Sequence, residues 1–351
     1  MSTSYRAVQW NRHKRFYDAV LVGCVALYLV AFVLIGKTVA GGMSDEILLI
    51  RGLGSCAILM LHLVLCIGPL ARLSSRFAPL LYNRRHFGVT SFVVGLAHGG
   101  LMLVWYHGFG DVSPLVSLFA SNTRYDSLTA FPFETLGFVA LVILFLMAAT
   151  SHDFWLVNLA PPVWKALHML VYLAYGLLVM HVVLGVIQTE RSLLYPVALG
   201  VGAVIVVTLH LAAGLAERRV PVAAPVDRDG GSWIDVGDVD RIPMDAATVV
   251  SPPDGERIAV YRHEGGISAI SNVCAHQNGP LGEGRIVDGC VTCPWHGYQY
   301  RPGDGTSPPP FTEKVPTYRV HVEKGRVLVD PDPLAPGTAV DPARVEGGAD
   351  A

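Results

Sequence analysis

The chain has 351 residues, of which 52% are hydrophobic and 15% charged, with a formal net charge of −2. That length holds two ordinary domains, the charge content is too low for a uniformly soluble protein, and a near-neutral chain without a large basic cluster is not a nucleic-acid binder. Three of the cysteines, Cys24, Cys56 and Cys66, lie in hydrophobic segments and three, Cys274, Cys290 and Cys293, in one soluble stretch, which is not a disulfide framework.

In chain order, residues 1–18 carry Arg6, Arg12, Lys14 and Arg15 ahead of an apolar stretch too long for a signal-peptide core and lacking a clear cleavage site, so a retained first span is expected. Segments 19–40, 48–70, 87–107, 131–150, 163–187 and 193–216 each reach or approach the ~20 apolar residues of a spanning helix. They predict a six-helix transmembrane bundle over residues 19–219, with both termini on one side. Arg72, Arg76, Arg84, Arg85, Lys165, Arg218 and Arg219 join the N-terminal basic residues on that side, against Lys37, Arg51, Arg124 and Arg191 on the other. The positive-inside bias puts both termini in the cytoplasm, for a chain in a bacterial-type inner membrane.

Residues 220–231, rich in Pro, Gly and small residues, are expected to be a linker. From 232 to 331, short runs such as WIDV, ATVV, RIAVYR, GISAI, GCVTC, YRVHVE and RVLV alternate with Gly, Pro or Asp turns, the pattern of a small all-β domain. Residues 332–351 have no apolar pattern and are expected to be disordered.

Within the all-β domain, Cys274-Ala275-His276 and Cys293-Pro294-Trp295-His296-Gly297 each offer one thiolate and one imidazole. Two cysteines on one iron and two histidines on the other make a 2Fe-2S cluster of raised potential. Two Cys and two His also satisfy a tetrahedral zinc ion, which usually spaces like ligands differently.

Cys-x-His followed by Cys-Pro-Trp-His-Gly on short strands resembles the Rieske ferredoxins and the ferredoxin domains of Rieske oxygenases. The resemblance implies that Cys274 and Cys293 hold the inner iron and that His276 and His296 hold the outer one. In Rieske proteins of the cytochrome bc type each cluster loop has a further cysteine, and the two form a disulfide; here those positions are Gly279 and Trp295. Tyr298 stands where that family has a sulfur-bonding serine, while the tyrosine is kept as Tyr300. Fewer donors to the cluster imply a potential in the lower part of the Rieske range, from ~−150 mV upward. Cys290 reads as a small buried core residue.

The expected spans hold His62, His86, His98, His107, His168, His181 and His210 within them or at their edges. Intramembrane imidazoles are functional candidates, with axial haem ligation the obvious use and helix-to-helix hydrogen bonding the bland one. Gly95-Leu96-Ala97-His98, the run from Trp164 to Tyr172 and His181, with Pro69-Leu70-Ala71-Arg72 and Arg84-Arg85-His86-Phe87-Gly88, resemble the ferric-reductase-like transmembrane domain and, within it, the membrane haem subunit of methionine-sulfoxide reductase systems. That family implies haem b between the third and fifth helices, on His98 with His168 or His181. Depth separates the two, because at ~1.5 Å per residue His98 lies ~20 Å past Arg85 and His181 ~24 Å past Lys165. His168 would then pair with His86 near the cytoplasmic face, for a second haem ~18–20 Å from the first. On a straight helix those separations turn the ligands ~120° or more apart, so the second haem needs a bend. His62 with His210 is a further pair of similar depth.

These features predict a membrane electron-transfer oxidoreductase in which a cytoplasmic Rieske cluster exchanges electrons with one or two haems b. Ferric reductases carry a flavin and nicotinamide domain after the membrane part, and no Gly-rich dinucleotide fingerprint is present here. The expected donor is therefore a cytoplasmic reductase or ferredoxin, and the acceptor a periplasmic protein, a quinone or another small molecule. A Rieske oxygenase or desaturase would need a further two-His-one-carboxylate or His-rich iron site, which does not appear. The remaining alternative is a membrane-anchored redox sensor, or a Rieske ferredoxin without transmembrane electron flow.

Overall fold

A computed structural model of the protein describes residues 12–39, 42–152, 155, 159, 161–189, 193–218, 222–228, 231–276, 278–294, 297–309 and 311–345. The expected ligand His296, its neighbour Trp295, Arg6, Arg191, Arg219, and the ends of the chain at 1–11 and 346–351 lie outside the described residues. The chain divides into two units, one of residues 1–70 and 83–212, the other of residues 71–82 and 213–351.

The first unit is helical. The helices are α1 Arg12–Val39, α2 Asp45–Leu73, α3 Ala78–Tyr82, α4 Arg84–His107, α5 Pro114–Ala120, α6 Phe133–Thr150, α7 Pro161–Met169, α8 Val171–Thr189 and α9 Leu194–Arg218, with α3 falling in the second unit. Among the described residues, six stretches are long and apolar enough to cross a membrane: Lys14–Val39, Asp45–Leu73, Arg84–His107, Phe133–Thr150, Val163–Gly185 and Leu194–Ala216. They match the six expected spans. Ser44 accepts the Ile47 N–H at 3.4 Å just before α2, whose first turn carries Asp45 and Glu46 against the positive end of the helix dipole. Small residues let helices approach, as where Gly52 of α2 faces Phe32 of α1. The fifth span is two helices. At Leu170 the ladder tightens to an i−3 bond, Leu170 N–H to Leu167 carbonyl at 3.1 Å, before α8 resumes.

Among the described residues the β domain has eleven strands: β1 Pro225–Arg228, β2 Gly231–Asp238, β3 Ala247–Val250, β4 Ile258–His263, β5 Gly266–Ser271, β6 Arg285–Val287, β7 Cys290–Thr292, β8 Gln299–Tyr300, β9 Thr317–Tyr318, β10 Val320–Glu323 and β11 Arg326–Val329. Three antiparallel sheets run β1-β2-β11-β10, β3-β4-β5-β9 and β6-β7-β8. Strand β4 is buried on both faces and shows how the layers divide. Ile258 and Val260 enter a core with Ile234, Ile267 and Val327, whereas Ala259 and Tyr261 enter a second core with Cys274, Leu281, Val291 and Cys293. The period of two sends alternate residues to opposite faces, so one central strand anchors the β6-β7-β8 sheet to the rest.

Two expectations about chain ends change. Residues 225–228 of the expected linker form β1 and pair with 231–234. Residues 332–345 of the expected disordered tail run along the domain: Leu334 N–H bonds Thr317 O (2.9 Å), Val340 N–H bonds Gly303 O (2.7 Å), and Ala343 exchanges bonds with Ile267. Backbone groups hold this segment, and composition does not display them.

Candidate functional site

The described residues among the expected cluster ligands, Cys274, His276 and Cys293, sit on two loops, one between β5 and β6 and one between β7 and β8, that share one backbone pattern. Cys274 N–H donates to Gly279 O (2.9 Å) and Asn278 N–H donates to Cys274 O (2.7 Å). In the second loop Cys293 N–H donates to Tyr298 O (2.7 Å) and Gly297 N–H donates to Cys293 O (2.9 Å). Each turn needs a left-handed residue four positions after its cysteine, met by Asn278 at φ 58° and Gly297 at φ 72°.

Cys274 is 0% exposed, Cys293 2% and His276 9%, so two sulfurs lie in the core with one imidazole at its edge. The Tyr300 hydroxyl lies 3.3 Å from Cys274 Sγ, and its pKa is pushed up by burial and then by Cys274; toward a thiolate, which has no proton, the hydroxyl is the donor. Tyr298, expected where a sulfur-bonding serine stands in bc-type proteins, stacks on the His276 ring with centroids 4.5 Å apart and planes 11° apart. Burial, and then a hydrogen bond to Glu313, raise its pKa. Among the described residues no three His, Cys, Asp or Glu side chains converge as on a single ion. A two-iron cluster would divide its ligands between two metals, and the expected fourth ligand, His296, lies outside the described residues; buried Cys274, Cys293 and His276 fit part of such a donor set.

In the helical unit the histidines separate by what their ring nitrogens meet. His98 donates from Nδ1 to Ile50 O (2.9 Å), and His181 from Nδ1 to Phe133 O (2.8 Å). A carbonyl only accepts, so both rings are Nδ1–H tautomers and both Nε2 atoms keep a lone pair. The two rings face each other with centroids 6.4 Å apart and planes at 78°. Both line a cavity of ≈740 Å³ between α2, α4, α6, α8 and α9.

The second expected pair is not brought together in this way. His86 Nδ1 bonds the Asp18 carboxylate (2.9 Å), while His168 bonds Trp164 O (3.0 Å) and Ser151 Oγ (3.4 Å) and stacks on Trp164. His62 bonds Ile58 O and Tyr175 Oη, and His107 bonds Ser117 Oγ and Glu134, so both nitrogens of each are engaged. His210 bonds Val206 O on its own helix. Sequence inspection missed Tyr298 as a ring platform and the carbonyls that seat His98 and His181; no local signal in the sequence marks either.

A helical membrane domain joined to a β domain with paired Cys-and-His loops defines a multi-pass membrane protein of the Rieske type. The family model described as Rieske 2Fe-2S domain matches residues 232–319, and that described as ferric reductase like transmembrane component matches residues 52–179. The chain is 31% identical over 99 residues to the ferredoxin component of the naphthalene 1,2-dioxygenase/salicylate 5-hydroxylase systems of Ralstonia sp, covering 28% of this chain and 94% of that protein. It therefore belongs to the Rieske family. It is also 32% identical over 133 residues to the protein-methionine-sulfoxide reductase heme-binding subunit MsrQ of Azospira oryzae, covering 38% of this chain and 52% of that protein. A match to cholesterol 7-desaturase nvd of Xenopus laevis is 40% identical over 67 residues, 18% of this chain and 15% of that protein. The chain thus spans about half of the heme-binding subunit's length and a small part of the desaturase's.

Proposed function

We propose that the chain is a membrane-bound electron-transfer oxidoreductase in which a Rieske cluster on Cys274, His276, Cys293 and His296 exchanges electrons with one haem b on His98 and His181. The observation that carries this is the facing pair of imidazoles. His98 and His181 would hold the haem iron from two neighbouring helices. The pair stands at 6.4 Å in an apolar cavity, with both Nδ1–H groups already satisfied. Bound haem and cluster supply one-electron chemistry; the protein holds their ligands, sets their hydrogen bonds and excludes water.

Likeness to a heme-binding subunit and to a ferredoxin component supports both halves of the proposal. The engagement of His86 and His168 elsewhere favours one haem over two. A cytoplasmic reductase or ferredoxin is the proposed donor, and a periplasmic protein, quinone or other small molecule the acceptor. In purified protein, haem b and cluster are quantified and the reduced cluster is observed by electron paramagnetic resonance. His98→Ala and His181→Ala should each lose the haem and keep the cluster signal. Full native haem in both variants would make the membrane domain an anchor and overturn the proposal.

A further inference from the structure

The seven membrane histidines fall into three groups by the partner that each engages. His62, His168 and His210 bond the carbonyl four residues back on their own chain segment, Ile58, Trp164 and Val206. His86 and His107 bond side chains, of Asp18 and of Ser117 and Glu134. His98 and His181 instead reach across to a carbonyl of a neighbouring helix, Ile50 on α2 and Phe133 on α6.

The two carbonyls share a local design. Four positions after Ile50 stands Gly54, where an added Cβ would come within 2.9 Å of the His98 ring. Four positions after Phe133 stands Gly137, where an added Cβ would come within 2.8 Å of His181 Nδ1. In a helix the carbonyl of residue i points toward the N–H of residue i+4, so the side chain at i+4 flanks that carbonyl and screens it from an outside donor. Glycine at i+4 removes the screen and lets one carbonyl serve the helix and a neighbour together. Close approach alone does not produce this arrangement: Gly202 also touches His62, whose Nδ1 nevertheless bonds its own helix.

We propose that the carbonyl–glycine pairs Ile50/Gly54 and Phe133/Gly137 are the positioning elements of the two haem-facing histidines. They hold both rings as Nδ1–H tautomers, turn the Nε2 lone pairs toward one another and fix the planes at 78°. The proposal rests on the haem assignment of His98 and His181, and its test separates the two.

Full-length protein is purified with Gly54→Ala, Gly137→Ala or, as control, Gly176→Ala, whose added Cβ meets nothing within 4 Å. Haem b per 2Fe-2S cluster is measured together with the largest g value of the ferric haem, which reports the angle between the axial imidazole planes. Gly54→Ala and Gly137→Ala should weaken haem retention, by roughly tenfold in affinity, or shift that g value, while Gly176→Ala stays native in both. Native values in the two site variants, or equal haem loss in the control, overturn the proposal. Haem loss in His98→Ala and His181→Ala beside native glycine variants would sink the positioning role alone; native haem in the histidine variants would sink the haem assignment. Where Gly54→Ala does not accumulate in membranes, the double variant with His98→Ala decides. With the ring gone the methyl has room, so recovery to the level of His98→Ala alone supports the proposal, and continued absence overturns it.

Discussion

Tyr300 is the described side chain whose hydroxyl meets a cluster sulfur ligand, at 3.3 Å from Cys274 Sγ. A donor to that sulfur favours the reduced, more negative cluster, so removing it should lower the midpoint potential. Tyr300→Phe is expected to lower it by on the order of 50 mV, since about 1.4 kcal/mol corresponds to 59 mV for one electron. Redox titration of the cluster signal measures this, and an unchanged or higher potential would remove Tyr300 from the tuning of the cluster. The assignment of Cys274, His276 and Cys293 as proposed ligands rests on residue type and spacing. The Tyr298 platform was not, because a tyrosine in place of a serine says nothing of where its ring lies until β8 is folded against the loop holding His276.

The β4–β5 hairpin carries a pH dependence of its own. His263 Nδ1 accepts the Gly265 N–H at 3.1 Å, which leaves Nε2–H to donate to Ser268 Oγ at 2.9 Å. The bond from Gly265 needs the neutral ring, because a protonated Nδ1 cannot accept, whereas the bond to Ser268 does not. Burial lowers the pKa of His263, against an opposing effect of Asp245. An unfolded histidine titrates near ~6.5, so below that pH the unfolded chain binds the proton that the folded hairpin resists. Stability from this group is full above ~6.5 and falls as the pH drops toward the lower folded value. Thermal loss of the cluster's visible absorption should therefore shift to lower temperature between about pH 7.5 and pH 5.5. His263→Gln should shift less; an equal shift in both proteins would exclude His263 as the cause. At the same scale, the strands were legible from short runs between Gly, Pro or Asp turns, and Asp288-Gly289, at φ 52° and 75°, is the turn pair that a tight hairpin between β6 and β7 requires. The break at Leu170 was not legible, since no proline or glycine stands from His168 to Tyr172 to announce it.

For the whole molecule, six spans among the described residues and the surplus of Lys and Arg at one set of helix ends predict a cytoplasmic β domain. A reporter active only in the periplasm, fused after Asp330, should be silent, and activity there would refute both the orientation and a cytoplasmic electron donor. What the amino-acid order determined alone is whatever depends on local composition and short spacing: apolar length for each span, short runs between Gly, Pro or Asp turns for the strands, and the Cys-x-His and Cys-Pro-Trp-His-Gly loops. Depth along a helix is likewise a matter of residue count, so His98 and His181 could be matched by level. Only the tertiary structure decided which histidines face one another, because rotation about a helix axis and the nearest carbonyl are set by packing across helices. It also decided the fate of residues 332–345, whose hydrogen-bonding partners lie in strands and loops distant in sequence and leave no mark on composition.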